Sequence, residues 1–296
     1  MSTEITTAFV KQYTDNIRLL QQQMGSSLRG AVSVESNIVG DRAFFDQVDA
    51  TAMSQITNRH GDTQYTDTPH RRRMVTMAPF EVADLIDRSD KIRTLNDPTN
   101  TYVRAFAAAA NRQIDDTIIA AFDATAATGV DGSGSDAFDS AYEVAVGSPH
   151  NLTTGKLRAA RRILEAAENH EDDGDNQWYV ICSANNRDAL LGDTQFMDSD
   201  FNSVKALVDG AVDTWLGFKF LKSERLPRGA GNVESVFAWS KQSMKLAIGQ
   251  DTRGFIDVLP GKRHSTQIRY EMDMGAVRMD QKGVVRILCD RDIGTS

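Results

Sequence analysis

The sequence predicts an α+β fold, on three observations. Residues 96–123, "NDPTNTYVRAFAAAANRQIDDTIIAAFD", place Tyr102, Phe106, Ala110, Ile114, Ile118 and Phe122 four residues apart, the spacing of a long helix with one buried stripe. The C-terminal part alternates as strands do, at Ile268, Tyr270, Met272 and Met274 and again at Val285, Ile287 and Cys289. Between these two regions, helical and strand-like patterns interleave from residue 151 to residue 254, the mark of a mixed α and β unit.

Composition limits the function classes. With 41% hydrophobic and 25% charged residues, the 296-residue chain is that of a globular protein with ample length for a core. No run of about 18 apolar residues occurs, so no membrane span and no membrane partner is expected. The formal charge of −8 has the wrong sign for a surface that grips duplex DNA through its phosphates, so no specific DNA-binding site is expected. The two cysteines, Cys182 and Cys289, sit in apolar strand-like runs and read as buried thiols without metal-ligand spacing.

Along the chain, residues 4–24 carry the stripe Ile5, Phe9, Tyr13, Ile17, Leu20 and Met24, a one-sided helix stopped by Gly25. Such a helix lies either on its own core or on a neighbouring subunit. "DRAFFDQ", from Asp41, starts a strand that Val48, Ala50 and Ala52 continue. Then comes "NRHGDTQYTDTPHRRR", residues 58–73, with one aromatic residue and no aliphatic one. Its flanks are strand-like, so it reads as a long β-hairpin leaving the body, a length of loop that is usually functional. "MVTMAPFEVADLID", Met74 to Asp87, reads as a strand passing into a short helix.

Asn96 or Asp97 can cap the long helix, and Pro98 suits its first turn. "ATGVDGSGSD", residues 127–136, reads as a flexible break. Thr153 or Thr154 can cap a helix with Leu157, Ala160, Leu164 and Ala167 inside and Lys156, Arg158, Arg161, Arg162, Glu165 and Glu168 outside. A strand at "QWYVICS", helices at "NNRDALLGD" and "SVKALVDG", and strands at "GFKFLKSE" and "VFAWS" follow. Gly275 reads as a break between strands, and "MDQKGVV" as the turn of the last pair.

No catalytic or metal motif survives inspection. "DSDFNS", from Asp198, begins like a calcium loop but has Ser203 at its sixth position and Asp209 at its twelfth, where such loops carry Gly and Glu. "GSGSD" has no strand before it, and "RGAGN" lacks the glycine spacing of a phosphate loop. His60, His70, His150, His170 and His264 all lie in polar, loop-like contexts. The sequence therefore points to no enzyme, no cofactor and no metal.

The order of elements and several stretches carry a resemblance. "QWYVICSANNRDALLGDTQFMDSDF" is similar to the central strand and following helix of the major capsid proteins of tailed bacteriophages. "LVDGAVDTWLGFKFLKSERLP", "VFAWSKQSMKLAIGQD" and "GAVRMDQKGVVRILCD" resemble three later stretches of that family, the last being its final hairpin. The resemblance implies an HK97-like fold in four parts. These are an N-terminal arm at 1–40, an extended loop with its base at 41–73, a peripheral domain at 74–150 and 255–296 around a spine helix at about 98–123, and an axial domain at 151–254.

It also implies a shell subunit that assembles with itself into pentamers and hexamers of an icosahedral capsid enclosing phage DNA, with portal and possible decoration proteins as partners. Family members that carry their own scaffold have a long N-terminal extension; here residues 1–40 precede the first strand, so a separate scaffolding protein is expected, with assembly in the host cytoplasm. The alternatives are an encapsulin-like compartment or a tail or adaptor protein. On this reading the polar arm lies across a neighbour. Its cations Arg59, Arg71, Arg72 and Arg73 would meet acids there, with Asp115 and Asp116 of a spine helix as candidate partners, and Ile5, Phe9 and Tyr13 would dock the N-terminal arm. A solvated basic patch is the alternative for the arginines. Segment 41–90 holds no lysine, so no isopeptide bond from the loop is expected.

Overall fold

A computed structural model describes residues 22–56, 59, 61–63, 65–87, 99–147, 151–169, 176–192 and 214–290. Residues 4–21 of the stretch read above as an N-terminal helix, the caps Asn96 and Asp97, and the helix "SVKALVDG" lie outside the described residues, as do Ile5, Phe9 and Tyr13, while residues 22–24 are described and are not helical.

In chain order the elements are β1 (Ser33–Ser36), β2 (Arg42–Val48), β3 (His70–Thr76), β4 (Ala78–Ile86), α1 (Thr99–Asp123), β5 (Ala126–Thr128), β6 (Gly134–Asp136) and β7 (Glu143–Val144). Then follow α2 (Thr154–Ala166), β8 (Trp178–Cys182), α3 (Ala184–Leu191), β9 (Thr214–Trp215), β10 (Phe218–Lys222), β11 (Val233–Ser240), β12 (Met244–Leu259), β13 (Ser265–Arg278) and β14 (Val284–Asp290). They form three sheets, ordered β1-β12-β13-β4, β7-β14-β11-β8-β10-β9 and β2-β3-β5-β6.

Helix α1 is the spine. Ala110, Ile114, Ile118 and Phe122 are buried, as the four-residue spacing requires, and Phe106 meets Tyr270 of β13 edge-on with ring centroids 6.3 Å apart. At the other end of the helix, Phe122 packs against Phe237 and Trp239 of β11, at 4.8 and 4.7 Å. One hydrophobic cluster thus runs from the spine through both large sheets. Burying an aromatic ring of this kind contributes about 1.5–3 kcal/mol.

Several sequence expectations are corrected. Residues 78–86 are a strand and not the start of a helix: β4 pairs with β13 from Ala78↔Met274 to Ile86↔Thr266, and its burial alternates residue by residue. Edge pairing on a long partner strand overrides the helical propensity of "EVADLI". Residues 127–136 are not a flexible break, because β5 and β6 form a hairpin that extends the arm sheet through Arg73↔Thr128 and Met74↔Ala127. Gly275 does not interrupt β13; it lets the strand pass under β3, where a Cβ would collide with the Thr76 carbonyl oxygen. The last two strands are no hairpin. β13 pairs with β12 and β4, whereas β14 pairs with β11 and β7, so the turn at 281–283 joins two sheets.

Two helices of the interleaved region form where expected. Thr153 caps α2 by accepting from Lys156 N, and Leu157, Ala160 and Leu164 are buried. Lys156 itself is a correction. It lies inside rather than on the charged face, and its ammonium donates to the Leu288 carbonyl at 3.0 Å, with burial holding its pKa below the ordinary value. Ser183 caps α3. Cys182 and Cys289 are buried free thiols, each pushed up to about 12 by desolvation. Among the described residues, no helix is long and apolar enough to cross a membrane.

Candidate assembly site at the base of the arm

Strands β2 and β3 pair antiparallel from Arg42↔Thr76 to Val48↔His70, and Asp49 N still bonds the Pro69 carbonyl at 3.0 Å. Beyond that pair no strand continues among the described residues, so the alternation expected through Ala50 and Ala52 ends at Val48. The arm beyond is open to solvent. Met53, Ile56 and Tyr65 are 101%, 90% and 94% exposed, and Arg59 is exposed as well.

The arginine triplet divides by position. Arg72 stands opposite Asp46 in the ladder and binds it through Nε and Nη2 at 2.6 and 3.1 Å, which holds the Asp46 carboxyl below its usual range. Arg71 reaches Asp49 at 2.6 Å. Both lie at the surface. Arg73 differs because the β5–β6 hairpin covers it. It is 4% exposed, donates through Nε to the Met279 carbonyl at 3.0 Å, and pairs through Nη2 with Asp136. Its Nη1 is buried without a hydrogen-bond partner.

Below Arg73, Arg278 of β13 closes the spine helix. Its Nη1 donates to the carbonyls of Phe122 and Ala124 at 2.6 and 3.0 Å, and Nη2 donates to the Asp136 carbonyl at 3.2 Å. A cation on the last carbonyls of a helix satisfies orphan acceptors and opposes the negative end of the dipole. Burial lowers the Arg278 pKa, with Arg73 adding to that and Asp136 and Asp123 opposing it. Phe138 lies between Arg278 and Arg286, with its ring centroid 5.3 and 4.9 Å from their guanidinium carbons. Arg286 in turn binds Asp123 at 3.3 Å and Glu143. Arm base, spine C-terminus, β6, β13 and β14 therefore meet in one ionic junction.

The acidic residues expected to receive the arm from a neighbour are engaged within their own chain. Asp115 is fully buried, a correction with a clear cause: its carboxylate accepts from Ser26 Oγ at 2.6 Å, from the backbone of Ser27 and Leu28 at 3.1 Å each, and from Gln23. It fixes the segment that enters β1. Asp116 is paired through both oxygens with Arg225. Arg73 is likewise corrected from an arm-tip cation to a buried residue of the base. Sequence reasoning missed Asp46, Asp49, Asp136 and Arg278. Once the hairpin register is set by Val48↔His70, the pairing of Asp46 with Arg72 follows by counting; Asp136 and Arg278 had no local signal.

A long helix on a sheet of extended strands, a second sheet flanked by shorter helices, and an arm projecting from the body define a capsid-type subunit. The comparisons agree. The sequence matches the family described as Phage capsid protein over residues 5–291, and the chain belongs to that family. No curated protein matches the sequence. Among solved structures, the fold is similar to the Cyanophage Pam1 capsid asymmetric unit, with a TM-score of 0.72 and 16% identity over 95% of this chain and 96% of that one. It is also similar to the capsid of Ralstonia phage GP4, at 0.75 and 10% over 97% of each chain. A third is the head structure of Helicobacter pylori bacteriophage KHP40, at 0.70 and 10% over 96% and 95%. The protein is thus a phage capsid protein with the HK97-like fold, and its place is the virion capsid.

Proposed function

We propose that the chain is the repeating shell subunit, that it assembles into pentamers and hexamers around phage DNA, and that its arm is the main inter-subunit tie. The observation that carries this reading is the contrast within residues 42–77. Their base is a paired sheet packed on the body through Ala43, Val75 and Met77, while Met53, Ile56 and Tyr65 stand almost wholly in water. Large apolar side chains that a monomer leaves exposed on a projecting arm gain free energy only when a second surface covers them. Arg59, Arg71 and Arg72 are the cations of that contact; Arg71 and Arg72 bring their own acids with them, so their role is to hold the arm's base straight as well as to meet a neighbour.

On this proposal residues 74–150 and 255–296, with the spine helix, β4 and β13, form the peripheral part, residues 151–254, with α2, β8, α3, β10 and β11, form the axial part, and β12 (Met244–Leu259) crosses the boundary at residue 254. A separate scaffolding protein, a portal and a decoration protein complete the proposed set of partners, and assembly takes place in the host cytoplasm.

The test is deletion of residues 51–67 with Asp49 and Pro69 kept. The variant should remain soluble and melt cooperatively, and closed shells should be lost when it is expressed with the remaining head proteins. Unfolding of the variant would show that the arm belongs to the core and would overturn the reading.

A further inference from the structure

The parallel strands β8 and β10 end side by side at Cys182↔Lys222. Parallel strands commonly leave a ligand crevice beyond their carboxyl ends. Here that crevice has a volume of about 450 Å³ and lies between α3, the turn after β10, and the spine helix.

Its charge is opposite to that of the chain. Arg112, Arg187, Lys222 and Arg225 line it, and Glu224 is the one acid among the described lining residues. Arg225 is matched by Asp116. Glu224 is used at the start of α3, where it accepts from Ala184 N at 2.6 Å. Among the described residues, Arg112 donates to neutral acceptors, the side-chain oxygen of Gln22 at 2.7 Å and the Gln23 carbonyl at 3.3 Å. Lys222 stands opposite Cys182 at the strand ends, and Arg187 of α3 lines the same crevice. Four cations thus line the concavity with one carboxylate, Glu224, while Asp116 and the buried Asp115 engage Arg225, Gln23 and Ser27 from behind it, on a protein of net charge −8. Focusing of a field in a cleft of one sign favours a ligand of the other.

We infer that this crevice is a docking site for an acidic peptide segment of a protein partner, whose carboxylates pair with Arg187, Lys222 and Arg112. Nucleic acid fits less well. Duplex binding needs cations spread along an exposed face, and single strands need aromatic side chains for stacking, whereas among the described residues no aromatic side chain lines the crevice. The site does not depend on the arm reading, since it shares no lining residue with the arm.

The test is fluorescence anisotropy of a labelled hexaglutamate peptide titrated with the full chain at low salt, with a labelled oligothymidylate in parallel. The double variant Arg187→Gln, Lys222→Gln should bind hexaglutamate about tenfold more weakly, and Lys222→Glu should weaken it as well. The control Arg71→Gln, Arg72→Gln removes the same charge elsewhere and should leave binding unchanged. An unaltered melting midpoint checks that the variants fold. Three results would each overturn the proposal: no measurable binding of hexaglutamate, equal loss in both double variants, or tighter binding of oligothymidylate than of hexaglutamate.

Discussion

Arg278 donates a hydrogen bond of 2.6 Å to the carbonyl of Phe122, across 156 positions of sequence. This contact joins the end of the spine helix to the strand beneath the arm. Phe122 packs on β11 and Arg73 bonds the Met279 carbonyl beside Arg278, so the arm's base, the spine and the core share one junction.

Replacing Arg278 by Leu should therefore lower stability by about 2–4 kcal/mol, because the carbonyls of Phe122, Ala124 and Asp136 lose their donor. Urea denaturation measures the loss. Arg278→Lys should recover part of it, since an ammonium can serve one carbonyl but not the fork of three.

The arginine triplet should split in the same assay. Arg73→Ser is expected to cost about 1–3 kcal/mol, as it strands a partly buried carboxylate. Arg71→Ser with Arg72→Ser should change monomer stability by no more than about 1 kcal/mol, because both pairs are exposed. That double variant should instead move assembly to lower salt. A loss of stability as large as that of Arg73→Ser would show that the outer pairs belong to the fold.

The helix of residues 99–123 was legible because one apolar stripe repeats through it, and the arm was legible as polar chain between strand-like flanks. What failed needed distant partners. β4 reads as helical until β13 is laid beside it, and "ATGVDGSGSD" reads as loop until β3 offers an edge. Arg73 looks like its two neighbours in sequence; only Asp136, 63 positions away, makes it a buried residue. Asp115 reads in the sequence as a surface acid on a helix, and its burial depends on residues 23–28 folding back over the spine. The crevice at Cys182 and Lys222 draws on four separate stretches of chain, so no local pattern announces it.

The thiols offer a chemical check. With pKa values pushed up to about 12, Cys182 and Cys289 present almost no thiolate at pH 8 and are buried besides. Iodoacetamide should label neither in the native protein and both in urea. On a boiled, reduced denaturing gel, particles should give one band near 32.6 kDa, since segment 41–90 supplies no lysine for a cross-link. A ladder of larger species would contradict this.

Acid sensitivity should include a contribution from Asp251. The Arg29 hydrogen bond holds its carboxyl below the usual range, so the pair's stabilisation is present above the unfolded value and lost as pH falls through the folded one. Both side chains are more than a third exposed, which limits the pair to about 1 kcal/mol or less. Asp251→Asn should flatten the stability profile at the acid end by that amount and leave its shape near neutral pH unchanged.

The central claim is that the arm serves a neighbour and not its own subunit. Cryo-electron microscopy of purified particles tests it most directly, by tracing the chain between Val48 and His70. The account predicts density for Met53, Ile56 and Tyr65 against an adjacent subunit within the same closed shell. Density folded back onto the body of the same chain would contradict it.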